Sequence, residues 1–304
     1  MQQAYHVPVL LKEVISGLHI IPSGIYVDCT FGGGGHSKKI LENLNDQGRL
    51  IVFDQDEDAK KNLPGDKRIT FVPHNFRHLQ RFLRLHKIQK VNGILADLGI
   101  SSHQIDEAER GFSTRFDASM DMRMNQSDVK TAADVVKNYS EEQLHKIFEQ
   151  YGEVTNSKTL ARKIVESRKT QSLSTTREFK NAISPVVKGN PEKYFAQVFQ
   201  ALRIEVNDEL NVLKELLVQS VEVLADNGRF AVITFHSLED RLVKNFFKNG
   251  NFENEPPKDL YGNAVKNELK VITKKPIIPS QEELKMNPRS RSSKLRIAEK
   301  IQVS

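Results

Sequence analysis

Four consecutive glycines, Gly32–Gly35, follow the apolar run Ile25–Val27 and precede a helical pattern that begins at Ser37. Glycine adopts positive φ easily and leaves no Cβ between the backbone and a ligand. The helix that follows presents unpaired N–H groups and a partial positive charge. The pattern therefore predicts a strand, a tight turn and a helix that together bind a cofactor, although a plain glycine turn in an α/β domain remains open.

The residues around the glycines favour one cofactor class over another. The dinucleotide fingerprint G-x-G-x-x-G/A, placed on Gly32 and Gly34, has Ser37 at its third position, where close helix packing requires Gly or Ala. The alignment Asp28-x-Thr30-x-Gly32-x-Gly34 fits better, because it has the acidic-x-small-x-Gly-x-Gly form of the first motif of S-adenosylmethionine-dependent methyltransferases. Thr30 stands where many of those enzymes carry glycine.

Three further residues follow predicted strands. Asp54 lies 22 residues beyond Gly32, close to the ~20 expected for an acid at the tip of the second strand that binds ribose hydroxyls. Phe76 follows the third strand and Asp97 the fourth. Ligands of open α/β sheets bind at these carboxyl ends, so we expect the three to face one crevice. The alternatives are an ordinary acidic turn for Asp54 and core packing for Phe76.

The elements that must position these residues alternate between strands and helices at both ends of the chain. The predicted strands begin at Ile25 and span Arg49–Phe53, Ile69–Val72, Val91–Ala96, Arg229–Phe235, Leu269–Lys274 and Leu295–Lys300; the early helices span Pro8–Leu18, Ser37–Leu44, Asp56–Asn62 and Arg77–Leu85. Between about Asp106 and Ile204 the pattern is helical, with capping boxes at Ser140 and Thr175. We therefore predict an α/β fold with an inserted all-helical domain: residues 1–105 and 206–304 form the core, and residues 106–205 form a substrate-recognition insertion.

The start of the insertion, Arg110–Met124, mixes arginines with aromatic residues and methionines. Such a mixture suits stacking on an unpaired base with phosphate contacts nearby. The candidate substrate-binding residues are Phe112, Arg115, Phe116 and Arg123, with core packing as the alternative.

His236 is a further substrate candidate, because it follows the fifth strand of the core. The neighbouring Ser237 and Asp240 invite a hydrolase interpretation, but the chain has no G-x-S-x-G elbow. Ser237 or Asp240 at the start of a helix is the simpler interpretation.

Composition limits the partners. The 304 residues carry a net charge of +6, and residues 285–300 hold six Lys or Arg against one acid, which permits a polyanionic partner or a solvated basic tail. The single cysteine, Cys29, excludes an internal disulfide and suits a reducing compartment. No leader pattern and no run of 18 apolar residues is present, so we expect a cytoplasmic protein with no membrane partner; no metal site is predicted.

Seven blocks of the sequence together carry a resemblance to a known family. They are His6–Leu11, Thr30–Ser37, Asp97–Ser102, Glu109–Ser113, Asp121–Met124, Phe235–Arg241 and Asn287–Ser293. In these blocks the chain resembles the bacterial 16S rRNA cytosine-N4 methyltransferases. The resemblance implies the class I S-adenosylmethionine-dependent methyltransferase fold, a Rossmann-like twisted sheet, and methylation of the N4 amine of a cytidine in the decoding region of 16S rRNA.

The resemblance also implies a set of cofactor contacts and a partner. The S-adenosyl-L-methionine contacts carried over by motif position are Gly34, Gly35, His36, Asp54, Phe76, Asp97 and Gln104. The implied partner is 16S rRNA within the small ribosomal subunit or a late precursor. The residues do not distinguish naked RNA from an assembled subunit, or a monomer from a dimer.

The chemistry of amine methylation requires placement of the reactants rather than a covalent catalyst. Asp97 is the candidate acceptor for the N–H groups of the amine. Methylation at pyrimidine C5 normally uses an attacking thiolate, whereas Cys29 is expected to be buried in the first strand. Two other functions remain open at this point: an NAD-dependent oxidoreductase on the same sheet, and a non-catalytic RNA-binding factor.

Overall fold

The computed structural model describes residues 8–302, with the side chains of Ser102 and His103 excepted. His6 and Val7, which begin the first of the seven blocks, lie outside the described residues. The described chain separates into two compact units. We call Met1–Gly99 together with Asn211–Ser304 the sheet unit, and Ile100–Leu210 the helical unit.

The sheet unit is built on one seven-stranded sheet in the order β3-β2-β1-β4-β5-β7-β6. The strands are β1 (Ile25–Asp28), β2 (Arg49–Phe53), β3 (Ile69–Val72), β4 (Val91–Asp97), β5 (Leu224–Thr234), β6 (Leu269–Val271) and β7 (Lys294–Lys300). Strands β1 to β5 are parallel, and β7 pairs antiparallel with both β5 and β6. The carboxyl ends of β1, β2, β3, β4 and β5 consequently share one edge of the sheet.

Helices cover both faces of this sheet because successive strand residues point to opposite sides. The helices of this unit are α1 (Leu11–Leu18), α2 (Gly35–Asn43), α3 (Leu79–Leu85), α10 (Glu209–Val223), α11 (Ser237–Asn249) and α12 (Gln281–Met286). Val27 and Phe53 pack with α3, α10 and α11 on one face. Tyr26 and Leu50 pack with α1 and α2 on the other face. The two apolar layers fix the strand-end edge from both sides.

The helical unit contains six α-helices in its described part. They are α4 (Ser102–Asp106), α5 (Ala132–Asn138), α6 (Glu141–Gln150), α7 (Ser157–Ser167), α8 (Thr176–Ile183) and α9 (Pro191–Asn207). Helix α6 packs against α7 and α9 around buried residues such as Leu144, Phe148 and Leu160. The capping boxes at Ser140 and Thr175 are confirmed, and Thr131 forms a third with Asp134.

The predicted boundary between α10 and β5 is wrong, because strand pairing with a residue distant in sequence overrides the local signal. Asn227 and Gly228 were expected to end the helix before β5, but α10 ends at Val223 and Leu224 already pairs with Val91 of β4. Asn227 lies inside β5 with φ 62°. The helix predicted from Asp56 to Asn62 is present as a 3-10 helix over Glu57–Asn62, with Asp56 as its N-cap.

Among the residues that the structure describes, no helix is both long enough and apolar enough to cross a bilayer.

Candidate active site

The candidate site lies at the carboxyl end of β1, where the glycine turn leads into α2. Asp28, the last residue of β1, is buried, and its carboxylate accepts hydrogen bonds from the Ser37 hydroxyl at 2.7 Å and the Thr30 N–H at 3.0 Å. Burial raises the pKa of Asp28, while these hydrogen bonds act in the opposite direction. The acid of the sequence motif therefore holds both ends of the turn together.

Thr30 links β1 to β4. Its hydroxyl oxygen accepts a hydrogen bond from the Asp97 N–H at 2.7 Å, and the hydroxyl lies 3.4 Å from the Asp28 carboxylate, to which it donates. A glycine at this position would leave the Asp97 N–H without that acceptor. The departure from the usual methyltransferase motif thus has a structural reason.

Asp54 holds the turn from the side of β2. One of its carboxylate oxygens accepts from the Gly32 N–H at 2.8 Å, and the other accepts from the Asp56 N–H at 2.9 Å. Burial raises the pKa of Asp54 to about 6. Each oxygen keeps a second lone pair, so the carboxylate can still accept a hydrogen bond from a ligand hydroxyl. Asn62 adds a clamp by donating to the Gly32 carbonyl at 2.9 Å.

Three glycines of the turn meet different constraints. Gly34 has φ 74°, in the left-handed region that favours glycine. A Cβ at Gly35 would lie 2.2 Å from the Pro8 ring, so this glycine is required for packing. A Cβ at Gly33 would meet nothing within 4 Å. Of the three, only Gly33 has open space beside its backbone and no constraint from the protein itself.

His36 is buried at the start of α2 and holds the segment before α1. Its Nε2–H donates to the Val9 carbonyl at 2.9 Å, because a carbonyl can only accept. Burial lowers the pKa of His36, which favours the neutral ring. Its Nδ1 then carries a lone pair 3.7 Å from a carboxyl oxygen of Asp97.

Asp97 is incompletely satisfied at this edge. Its Oδ1 is buried and has no hydrogen-bond partner among the described residues, whereas Oδ2 faces His36. Burial, followed by the nearby charges of Asp28 and Glu239, raises the pKa of Asp97 to about 8. An orphaned buried acceptor at the strand-end edge is what a polar ligand would complete.

His236 and Glu239 form the equivalent structure after β5. Glu239 is buried and accepts from the Phe235 N–H at 2.8 Å, and His236 Nδ1 accepts from the Glu239 N–H at 3.5 Å. The two residues make a capping box at the start of α11. Of the two residues expected at the helix start, Ser237 is the first residue of α11 and Asp240 lies in its first turn, where it also binds the guanidinium of Arg296 at 2.6 Å.

Phe76 lies at the carboxyl end of β3. It begins the 3-10 helix Phe76–His78, which Asn75 caps, and its partly buried ring packs against the core. Asn75 also donates to the Gln55 side chain at 2.8 Å, which ties the end of β3 to the end of β2. Phe76 therefore lines the same edge as Asp54.

The remaining candidates lie in the helical unit. Gln104 is buried and accepts from the Ser101 N–H at 3.1 Å. Phe112 is buried in the core of that unit, while Arg115 and Phe116 are exposed. Arg123 makes a two-point ion pair with Asp121 and also donates to two backbone carbonyls, so most of its donors are already used.

The structure thus gathers Gly34, Gly35, His36, Asp54 and Asp97 around one turn. Sequence reasoning did not assign roles to Thr30, Asn62 or Glu239. The spacing of Glu239 three residues after His236 could have indicated the capping box. Nothing local indicates the hydrogen bonds of Thr30 to Asp97 and of Asn62 to Gly32, because these partners lie on other elements.

The seven-stranded order with one antiparallel strand, the glycine turn after β1 and the acid after β2 define a class I methyltransferase fold. The chain belongs to the MraW methylase family, whose family model matches residues 3–301. It is accordingly an S-adenosylmethionine-dependent methyltransferase, and the NAD-dependent oxidoreductase and the non-catalytic factor are set aside.

Two relatives of this chain have the same name. "Ribosomal RNA small subunit methyltransferase H" of Christiangramia forsetii is 53% identical over 301 residues, covering 98% of this chain and 98% of that protein. The protein of the same name from Flavobacterium johnsoniae is 55% identical over 301 residues, again covering 98% of each. A solved structure titled as a putative rRNA-methylase from Clostridium thermocellum covers 98% of this chain and 99% of its own, with 11% identity and a TM-score of 0.45.

Proposed function

We propose that this protein transfers a methyl group to the N4 amine of a specific cytidine in the decoding region of 16S rRNA. The observation that carries the proposal is the orphaned Oδ1 of Asp97 at the end of β4, together with the open backbone of Gly33 in the turn after β1. The names of the relatives and the motif resemblance support rRNA as the substrate. The small subunit, or a late precursor of it, is the proposed partner, and the cytoplasm the proposed compartment.

The residues at the glycine turn fit the methyl donor. When bound, S-adenosylmethionine supplies an electrophilic methyl group on a sulfonium. Asp54 accepts hydrogen bonds from ribose hydroxyls through the lone pairs that Gly32 and Asp56 leave free. Gly34 keeps the turn in its left-handed conformation, while Gly35 and His36 act through Pro8 and Val9 by fixing where the turn lies.

Two more residues complete the proposed cofactor contacts. Phe76 provides an apolar surface beside Asp54, as a flank for the adenine. Gln104, in the helical unit, is proposed as a further contact of S-adenosylmethionine on the basis of its position in the family motif.

Amine methylation suits the nucleophiles of this chain. The only cysteine, Cys29, is buried in the sheet, and burial raises its thiol pKa well above the usual range. It cannot serve as the attacking thiolate that methylation at pyrimidine C5 requires. Attack by N4 needs only placement and removal of a proton.

Asp97 is the proposed acceptor of that proton. A base is most effective when its pKa lies near the working pH, and the pKa of Asp97 is about 8. The unpartnered Oδ1 is the atom that would take the proton, while Oδ2 faces the neutral ring of His36.

The candidate substrate-binding residues of the helical unit differ in how exposed they are to solvent. Arg115 and Phe116 are exposed and free to contact phosphate and base, with Phe116 about half exposed. Arg123 and Phe112 support the loop that carries them. His236, the N-cap of α11 and partner of Glu239 in its capping box, is proposed to face the target nucleotide at the end of β5.

Methyl transfer with mapping of the product tests this function. Purified protein is incubated with tritium-labelled S-adenosylmethionine and either naked 16S rRNA or assembled small subunits that lack the modification. We expect one methyl group per RNA at the N4 position of a single cytidine in the decoding region. Label at C5, label spread over many nucleotides, or no label on either substrate would contradict the proposal.

A matched pair of variants tests the cofactor site. Asp54→Asn keeps the size of the side chain but removes hydrogen-bond acceptor capacity. We therefore expect the affinity for S-adenosylmethionine, measured by titration calorimetry, to fall at least tenfold. Asp46→Asn, on the exposed turn before β2, is the control and should bind as the parent does.

A further inference from the structure

A second candidate ligand site lies in the sheet unit between α11 and the strand pair β6 and β7. It is a cavity of about 360 Å³, within the range of ligand pockets. Its polar lining consists of Lys244, Lys248, Lys274, Arg296 and Thr273. We call it the basic cavity. Phe247 and Val271 supply apolar wall, and the lining contains no acidic residue.

The charges of the basic cavity are left largely uncompensated by the protein. Lys244, Lys248 and Lys274 are exposed, and within the described residues none of the three makes a hydrogen bond or an ion pair. Arg296 is the exception, because its side chain is 9% exposed and its Nε and Nη2 bind the two carboxylate oxygens of Asp240. The four cations of the lining thus have one bound carboxylate between them, that of Asp240, which Lys294 also contacts at 3.3 Å.

The donors of the cavity suit an anion with several oxygen atoms. The Asp240 carboxylate fixes the Arg296 guanidinium, whose Nη1 has no partner within the described part of the chain. The Thr273 oxygen accepts from the Ile297 N–H at 2.9 Å, so its hydroxyl proton is left to donate. Three lysines on flexible stems add charge around this fixed centre. A planar fork, a hydroxyl and mobile ammonium groups are a combination that binds phosphate.

The position of the cavity relates it to the methyl-transfer edge. Helix α11 starts beside that edge at Ser237, and Lys244 and Lys248 follow on one face of the helix. At 1.5 Å per residue they lie roughly 10 and 17 Å along the helix from its start. This is a span that a few nucleotides of single-stranded RNA can cover when one base is held at the edge.

We propose that the basic cavity binds phosphodiester groups of the rRNA substrate, a few nucleotides from the methylated cytidine. This inference rests on the proposed function, since it assumes that RNA is the substrate. Backbone phosphates receive half or more of the hydrogen bonds that proteins make to nucleic acids. The cavity increases affinity and fixes the direction of the strand, and it takes no part in the methyl transfer itself.

The test is the double variant Lys244→Ala/Lys248→Ala, which places a good helix former at two exposed positions and leaves the Arg296–Asp240 pair intact. Loss of two phosphate contacts should reduce the slope of log K against log salt by about 1.4 to 1.8. At 0.1 M salt that corresponds to roughly 25- to 60-fold weaker binding of the RNA. The KM for RNA should rise accordingly, while kcat at saturating RNA stays that of the parent.

Two controls make the outcome specific. Lys12→Ala/Lys67→Ala removes two exposed lysines elsewhere in the sheet unit and should leave the salt slope within 0.5 of the parent. Lys244→Arg/Lys248→Arg keeps the charges and should retain the affinity. If the alanine variant binds RNA as the lysine control does, the cavity is not an RNA site and the inference is overturned.

Two further outcomes separate the sources of phosphate and the two proposals. If RNA binding is unchanged but inorganic phosphate protects the parent and not the alanine variant from thermal unfolding, the cavity binds a small anion and the RNA assignment is wrong. If the parent methylates no RNA, the proposed function fails, whatever the variants do. If the parent methylates RNA and the alanine variant does so with unchanged KM, only the cavity inference fails.

Discussion

Asp97 offers the sharpest test of the electrostatics at the strand-end edge. Burial raises the pKa of its carboxyl from 3.8 to about 8 in the folded protein. Between these values the unfolded chain has released a proton that the folded protein keeps, so stability falls as pH rises. For this one group the loss amounts to about 1.7 kcal/mol at pH 5 and about 4 kcal/mol at pH 7, an order-of-magnitude figure from 1.36 kcal/mol per pKa unit.

Asp97→Asn removes the ionisable group and keeps its shape. An amide resembles the protonated acid that the fold prefers, so the penalty should disappear. We expect the free energy of unfolding of the variant, relative to the parent, to increase by about 2 to 3 kcal/mol between pH 5 and pH 7. At the same time methyl transfer should be lost, because the amide cannot take up the proton of the amine. A gain in stability at the expense of activity is common at active sites.

Urea unfolding of parent and variant at pH 5 and pH 7 measures this difference. Asp134→Asn provides a control of opposite sign, because hydrogen bonds from Thr131 lower the pKa of Asp134. The ionised Asp134 therefore stabilises the fold at every pH above its pKa in the unfolded chain, and this contribution is lost only in acid. The variant should consequently be less stable than the parent by a similar amount at both pH values. A stability difference for Asp97→Asn that is the same at pH 5 and pH 7, or that decreases, would refute the reasoning.

Three other predictions concern the turn and the helical unit. Gly33→Ala should fold normally but weaken donor binding in calorimetry, whereas Gly35→Ala should lower the thermal midpoint because its Cβ meets Pro8. Thr30→Val should cost about 1 to 3 kcal/mol in urea unfolding, because the Asp97 N–H loses its acceptor; unchanged stability would contradict the link between β1 and β4. Arg123→Ala should lower the thermal midpoint by a few degrees, whereas Arg115→Ala should leave it unchanged and raise the KM for RNA; the reverse pattern would exchange their roles.

Strands β1, β2 and β4 were predictable because each is a short apolar run that ends at or just before an acid. Strand β2 matches its predicted bounds, and β4 exceeds its prediction by one residue, Asp97. The two capping boxes were predictable for the same reason, since their partners lie three residues apart. Local patterns were sufficient wherever the structure depends on local contacts.

The details of the site were not predictable because their partners are distant in sequence. Thr30 meets the Asp97 N–H across 67 residues, and Asn62 meets the Gly32 carbonyl across 30. The sequence likewise indicated Arg123 as a candidate for RNA binding with core packing as the alternative, and the ion pair with Asp121 two residues earlier was not predicted. Sequence spacing located the edge of the site, and only the folded chain reveals how each side chain is used there.

The clamps on the glycine turn have a consequence for the thermodynamics of binding. Side chains of Asp28, Asp54 and Asn62 already hold the turn, so its ordering entropy is lost during folding rather than when a ligand arrives. The Gly32 amide should therefore exchange slowly with deuterium in the free protein, and ligand should slow that exchange only slightly. Because the turn is already ordered in the free protein, ligand binding loses little free energy on ordering it.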